Sequence, residues 1–340
     1  MKDIRYTKGQ PSKIDVAVLL IFFNRPLGFR RVFEEVRKAR PSKLFLYQDG
    51  SRDGNHKDAE GVKKCREIAL DIDWDCEVYT YFQEKNVGCD PSEFIAQKWA
   101  FEHVDKCIIL EDDDVPSQSF FPFCKELLDK YENDTRINMI CGMNNVESTD
   151  TPYSYLFSEK GSIWGWATWK RVADMWEENY DLCKNAYWLE KVRKNLDSKR
   201  LDGTKSTQRW IAHSSDGKAY YESILGMNQL ANNMVNIVPS KNMITNIGNS
   251  PEGGTHSVSG LEMIPHGLRR IFTMTRHEIE FPLNHPPYVI VDIDFQKDLF
   301  RIMGIGHPWV KVWRTIEKVA LIIRHKGIRE VWRKFKNKKL

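Results

Sequence analysis

The sequence predicts an α/β protein: a doubly wound, mostly parallel sheet followed by a basic amphipathic helical extension. Three observations carry that expectation. Short apolar runs alternate with segments of helical period through the first 150 residues. One of those runs, Cys107 to Leu110, leads directly into Glu111-Asp112-Asp113-Asp114. Residues 301–340 carry twelve Lys or Arg against two acids, a net +10, which leaves −6 on the rest of a +4 chain.

The elements follow in order. Val16 to Phe23 is an unbroken apolar run, read as a strand buried on both faces and broken by Asn24-Arg25-Pro26. Leu27 to Arg40 has apolar residues at 29, 32, 33 and 36, a helical spacing that Pro41 stops. Lys43 to Gln48 reads as a second strand, ending in the turn Asp49-Gly50, and Ala59 to Ile72 as a helix. Cys76 to Gln83 reads as a third strand. After Asn86-Val87-Gly88, the run Asp90-Pro91-Ser92-Glu93 has a capping residue, a Pro at the first helical position and a Glu three on, predicting a helix to about Val104. The acidic strand comes next, then a helix over about 119–131 and a strand over 137–142. The crossovers are long enough for right-handed βαβ units. Beyond residue 150 the pattern weakens, with a helix predicted over 220–232 and a strand over 235–239. The Gly- and Ser-rich stretch 246–257 has the length of a functional lid.

The acidic run is the first candidate site. In an open α/β sheet the carboxyl ends of the strands face the ligand crevice. Adjacent carboxylates repel, and a divalent cation would relieve that repulsion. Hard carboxylate oxygens suit Mg²⁺ or Mn²⁺, ions that bring phosphates with them. The same residues also read as a solvated acidic loop before a helix. No dinucleotide-type glycine fingerprint follows the first strand, and no Gly-x-x-x-x-Gly-Lys loop occurs. A nucleotide would therefore be held by other groups at strand ends, with Asn24, Arg25, Asp49 and the acids as candidates. Trp164-Gly165-Trp166 offers indole faces that can stack on sugars, or that simply pack in a core. Gly165 between them permits close approach of backbone to ligand.

Composition narrows the classes. Seven scattered Cys without a Cys-x-x-Cys pair point to reduced thiols in a cytoplasmic setting. The polar start lacks a signal peptide's apolar region, and the run 16–23 is too short to span a bilayer. In the extension, Trp309, Val312, Trp313, Ile316, Val319, Ala320 and Ile323 recur at helical spacing among Lys and Arg. That profile fits a helix lying on an anionic membrane surface, or one docked on the body with a solvated basic face. Nucleic acid is not expected as a partner, since the cations accompany an apolar stripe and no binding motif occurs.

Several motifs together carry a resemblance over roughly residues 15–295. They are Phe-Phe-Asn-Arg-Pro (22–26), Gln-Asp-Gly (48–50), Asn-Val-Gly (86–88), Ile-Leu-Glu-Asp-Asp (109–113), Trp-Gly-Trp-Ala-Thr-Trp (164–169) and Asn-Ile-Gly with a later Thr-His (246–256). The chain resembles GT-A-fold inverting glycosyltransferases that use nucleotide sugars. The nearest group is bacterial and similar to the Golgi N-acetylglucosaminyltransferase that starts complex N-glycans.

The resemblance implies a UDP-sugar donor, a glycan or glycolipid acceptor, and Mn²⁺ or Mg²⁺. It implies a nucleotide-binding half over 1–150, an acceptor-binding half with its lid over 151–260, and an extension over 261–340 with basic helices from about 307. Asn24, Arg25, Asp49, Asn86, Glu111 and Asp112 would contact the nucleotide. Asp113 would be the metal ligand with His256, and Asp114, an acid where the pattern usually has an apolar or small residue, leaves Asp112 plus Asp114 as an alternative pair. Trp164, Gly165 and Trp166 would lie near donor sugar and acceptor. The catalytic base falls by register on Glu222, although the family's Trp-Asp is Tyr-Glu here; Asp216 is the alternative. A membrane-facing extension would make the enzyme peripheral on the inner membrane. A sugar nucleotidyltransferase is the rival enzyme class, and a membrane-surface binding protein with a vestigial acidic site is the rival outside enzymes.

Overall fold

The computed structural model describes residues 2–199, 201–249 and 260–336. The chain runs β1 (Lys2–Thr7), β2 (Ile14–Phe22), α1 (Pro26–Ala39), β3 (Pro41–Gln48), α2 (His56–Leu70), β4 (Cys76–Phe82), α3 (Cys89–Ala100), β5 (Lys106–Glu111), β6 (Asp114–Pro116), α4 (Phe120–Lys130) and β7 (Ile137–Cys141). It continues through β8 (Tyr155–Ser158), β9 (Trp166–Trp169), α5 (Lys170–Ala173), α6 (Asp181–Lys184), α7 (Ala186–Ser198), α8 (Gly203–Asp216), α9 (Tyr221–Ala231), β10 (Val235–Pro239) and β11 (Ile244–Asn246). Among the described residues, a 3-10 turn (Leu261–Met263) and the α-helices α10 (His266–Thr273), α11 (Ile293–Met303), α12 (Pro308–Lys326) and α13 (Ile328–Lys336) follow.

Among the described residues, nine strands form one sheet in the order β1-β4-β3-β2-β5-β9-β7-β10-β8. β4, β3, β2 and β5 are parallel neighbours, and β10 is parallel to β7. β9 lies antiparallel between β5 and β7, while β1 and β8 are antiparallel edges. This is the α/β, doubly wound and mostly parallel sheet expected from the sequence. Strands from both sides of residue 150 share it.

Strand period explains how the sheet buries both faces. β2 sends Val16, Val18, Leu20 and Phe22 into one core, and Ala17, Leu19 and Ile21 into the other. β5 does the same, with Ile108 and Leu110 opposite Cys107 and Ile109. α1 starts on Pro26, buries Phe29, Val32, Phe33 and Val36, and ends at Arg40 in the left-handed region (φ 47°) before Pro41.

Two departures matter for the site. α3 begins at Cys89 behind Gly88, without a side-chain cap, and Glu93 is turned inward instead of capping. A short ribbon pairs β6 with β11, setting Asp114 opposite Asn246.

The extension forms the expected helices, and its stripe faces outward. Trp309 is 82% exposed and Trp313 67%, and Ile316 and Ile323 are exposed too. The other side of α12 holds the body: Ile322 is buried, the Arg314 guanidinium donates to the Ile302 carbonyl, and the His266 N–H donates to Glu317 Oε1 at 2.7 Å. No described helix is long and apolar enough to cross a membrane.

Candidate functional site

The site begins where β5 ends. Arg25 lies just past the end of the neighbouring strand β2, as the residue before α1, which opens on Pro26. Its guanidinium grips Asp112 through Nη2 and Nε, and donates from Nη1 to Asp113 Oδ2 at 2.9 Å. The Asn246 amide donates to Asp113 Oδ1 at 3.0 Å and to Asp114 Oδ1 at 3.1 Å. Asp114 also accepts from the Gly165 N–H at 2.8 Å, at Oδ2. Asp114 is completely buried. It holds the Trp-Gly-Trp segment and the β6–β11 ribbon together from a fully enclosed position. That makes the alternative pair Asp112 plus Asp114 less accessible to an ion than Asp113, whose oxygens are also held, by Arg25 and Asn246, but which keeps 14% exposure.

A cavity of about 400 Å³ opens beside this corner, lined by Asn24, Arg25, Asp49, Arg52, Asn86, Glu93, Glu111 and Asp112 among others. The candidate nucleotide residues are thus brought together, several with their polar groups in use. Asp49 accepts from the Val87 and Gly88 N–H groups at 2.9 and 3.1 Å and from Asn86 Nδ2 at 2.7 Å, tying the 86–88 turn to the end of β3. Asn24 donates to Asp58, which also pairs with Arg52. Asp49 and Asn86 therefore shape the cavity wall.

Electrostatically the corner carries more acid than base. Burial, reinforced by the neighbouring aspartates, pushes the Glu93 carboxyl up to about 8. Glu111 and Asp114 are pushed well above the usual carboxylate range, by burial first and then by neighbouring acids. Burial also raises Asp113, with Arg25 pulling the other way. Burial opposes the charge on Arg25, and Asp112 and Asp113 more than offset it.

The described residues contain no group of three or more His, Cys, Asp or Glu able to hold a metal ion. Mg²⁺-type sites are completed by one or two carboxylates plus substrate phosphates, and Asp113 fits that mode. It is 14% exposed against 5% for Asp112, and Gly248 sits so close to its carboxylate that a Cβ there would collide with Oδ2. His256 lies outside the described residues.

A second cavity of about 400 Å³ holds Trp164 and Glu222, with Lys160 and apolar walls from α9, α10 and α11. Glu222 is exposed in the first turn of α9. The Trp164 ring packs on Phe272 at 5.3 Å between centroids. Gly165 has φ +62°, and a Cβ there would meet Ile244 Cδ1 at 2.5 Å, so the close approach is between protein segments. Trp166 corrects the expectation of a sugar-stacking face: it is 1% exposed, in the core on β9, with no face left for a ligand. Asp216 ends α8, is exposed, accepts the Tyr220 hydroxyl and lines neither cavity. Tyr221 is buried at the head of α9 with no hydrogen-bond partner for its hydroxyl among the described residues. After burial, Glu93 and Glu111 do most to raise its pKa, which sets Tyr221 close to the first cavity's acids.

Glu93, Arg52 and Asn246 were missed as site residues. Glu93 reads as a helix cap, and nothing local marks Arg52. The Asn-Ile-Gly motif was the available signal for Asn246.

No protein-family model and no curated protein matches the chain. A solved structure described as a glucose-1-phosphate thymidylyltransferase from Bacillus anthracis, in complex with a sucrose, is similar at 7% identity. That likeness covers 51% of this chain and 76% of that one at a TM-score of 0.26, too distant to carry an argument about function.

Proposed function

We propose that the protein is a metal-dependent inverting glycosyltransferase that moves a sugar from a nucleotide-diphosphate sugar, in first place a UDP-sugar, to a hydroxyl of a glycan or glycolipid acceptor, in bacterial surface polysaccharide synthesis. The observation that carries the reading is the cavity at the acidic strand end, taken with a separate cavity whose Trp164 adjoins the Gly165 that bonds Asp114. One is rimmed by Asn24, Arg25, Glu111 and Asp112; the other presents a carboxylate, Glu222, beside an indole, Trp164. The nucleotide-binding half is assigned to 1–150 and the acceptor half to 151–260. Attachment to the inner membrane face runs through 307–340.

In the proposed reaction the acceptor oxygen forms a bond to the anomeric carbon. The bond from that carbon to the diphosphate oxygen breaks, and its electron pair leaves with the diphosphate. Glu222 takes the acceptor's proton; general-base help of this kind is worth about 10²–10⁴-fold. Glu222 stands exposed in the first turn of α9, where an acceptor hydroxyl can reach it. Arg25 supplies fixed positive charge beside the leaving diphosphate. Asp113 would hold Mn²⁺ or Mg²⁺, with His256 as the partner the resemblance implies. The ion, when bound, supplies Lewis-acid stabilisation of charge on the diphosphate. For Asp113 to take up that role, its contact with Arg25 must give way.

Calorimetric titration with UDP and Mn²⁺ tests the reading. Wild type should bind UDP more tightly with Mn²⁺ than without, and Asp113→Asn should lose the difference while keeping its melting profile. Binding of UDP that ignores Mn²⁺ in wild type would remove the metal-dependent reading.

A further inference from the structure

We infer that the acceptor is lipid-borne: the second cavity opens at a membrane surface that α12 and α13 recognise, and it takes a sugar presented on an alkyl or polyprenyl chain. This rests on the glycosyltransferase reading for the role of that cavity. Its membrane part stands on separate observations.

The first is the outward face of α12. Trp309, Val312, Trp313, Ile316 and Ile323 are all at least two-fifths exposed, and their spacing gathers them on one stripe about 100° wide. α13 continues it with Ile328 and Trp332, 54% and 65% exposed. Contiguous apolar surface on this scale marks an interaction site. The opposite side of α12 is occupied by the body through Ile322, Arg314 and Glu317, so the stripe has no covering within the chain among the described residues.

The second is charge. The segment that presents the stripe is +10 on an otherwise −6 chain. A second copy of this chain would meet the apolar stripe with the same cations. An anionic bilayer meets both, with indoles at headgroup depth and Lys and Arg drawn to its negative surface.

The third is continuity with the cavity. Leu299 and Met303 of α11, and Ile305 after it, form part of the wall that faces Glu222 and Trp164. α12 begins three residues after Ile305, and it is clamped to that wall by the Arg314 bond to the Ile302 carbonyl and by Gly304 lying against Val310 and Lys311. A bilayer engaged by the stripe therefore lies one helix diameter, roughly 10 Å, from the cavity's apolar side. Such a wall is poorly suited to a free sugar, whose hydroxyls need polar partners. It suits the first methylenes of a chain whose sugar reaches Trp164 and Glu222.

Dodecyl and methyl glycosides of glucose, galactose and N-acetylglucosamine, each with UDP-sugars, Mn²⁺ and phosphatidylcholine–phosphatidylglycerol vesicles, make the test. Protein should sediment with these vesicles, less at high salt, and not with pure phosphatidylcholine. Dodecyl glycosides should speed nucleoside diphosphate release by about tenfold or more over methyl glycosides, given the worth of each buried methylene. Trp309→Glu combined with Trp313→Glu, both at exposed positions, should abolish sedimentation and that preference while leaving slow donor hydrolysis unchanged. Loss of donor hydrolysis in every arm would count against the glycosyltransferase reading alone. In that case hydrogen exchange still decides: dodecyl glycoside should protect amides of 160–164 and 299–305, and methyl glycoside should not. Equal response to both glycosides, a preference that survives the double variant, or a lipid-free dimer with no vesicle binding would overturn the inference.

Discussion

Glu93→Gln removes a carboxyl that the fold holds out of water among other acids. Glu93 is 4% exposed, and its pKa rises from 4.5 to about 8. A carboxyl raised on folding favours the folded state fully below its unfolded pKa and loses that contribution as pH climbs through the folded one. Between pH 4.5 and 7 the folded protein keeps a proton that the unfolded chain releases. The cost is about 1.4 kcal/mol per pH unit, or about 3 kcal/mol by pH 7. Glutamine keeps the shape, can still accept from the Gln97 amide that now bonds Glu93 at 3.3 Å, and does not titrate. Glu111 and Asp114 shift in the same direction but remain in both proteins. The variant should match wild type near pH 5 and exceed it by about 3 kcal/mol at pH 7, which is about 4 °C in melting temperature for a chain of this length. Thermal melts in chelator at pH 5, 6, 7 and 8 read it directly. Melting curves that stay parallel across that range would show that Glu93 is ionised in the fold, and the picture of a proton-holding acidic corner would fail.

Three further outcomes are expected. Asp113→Asn should abolish Mn²⁺-dependent turnover while leaving circular dichroism unchanged; undiminished activity would move the metal elsewhere. Glu222→Gln should lower turnover by about 10²–10⁴-fold with donor affinity nearly constant, whereas Asp216→Asn should be mild; the reverse ranking would show that α9 does not carry the base. Gly165→Ala forces a side chain into the left-handed region and onto Ile244, so it should destabilise by about 2–4 kcal/mol; a denaturation midpoint equal to wild type would contradict the packing described.

How much of this was legible depended on element length and burial. β2, α1 and β10 follow from apolar spacing because each buries a whole face, and the acidic turn follows from its place after β5. β6, β9 and β11 are three or four residues long, too short for a period to show. That is why Trp166 reads as a ligand face when it is a core residue, and why Asn246 reads as a landmark when it bonds two aspartates. Glu93 obeys a local capping rule that the tertiary environment overrides. Asp114 is indistinguishable in sequence from its neighbours, since only its backbone donors reveal a structural role. The stripe of α12 is plain in the sequence, but the same pattern serves a docked helix and an exposed one. Contacts at Ile322, Arg314 and Glu317 decide which side faces the body.

Product analysis is the most direct test of glycosyl transfer at this site. The protein would be incubated with Mn²⁺ and a panel of UDP-sugars, and separately with nucleoside triphosphates and sugar 1-phosphates, and the phosphorus-containing products identified by ³¹P NMR. Release of UDP from one UDP-sugar, dependent on Mn²⁺ and lost in Asp113→Asn, is the expected result. Pyrophosphate release from a triphosphate and a sugar phosphate, with every UDP-sugar left intact, would contradict it and make the protein a nucleotidyltransferase.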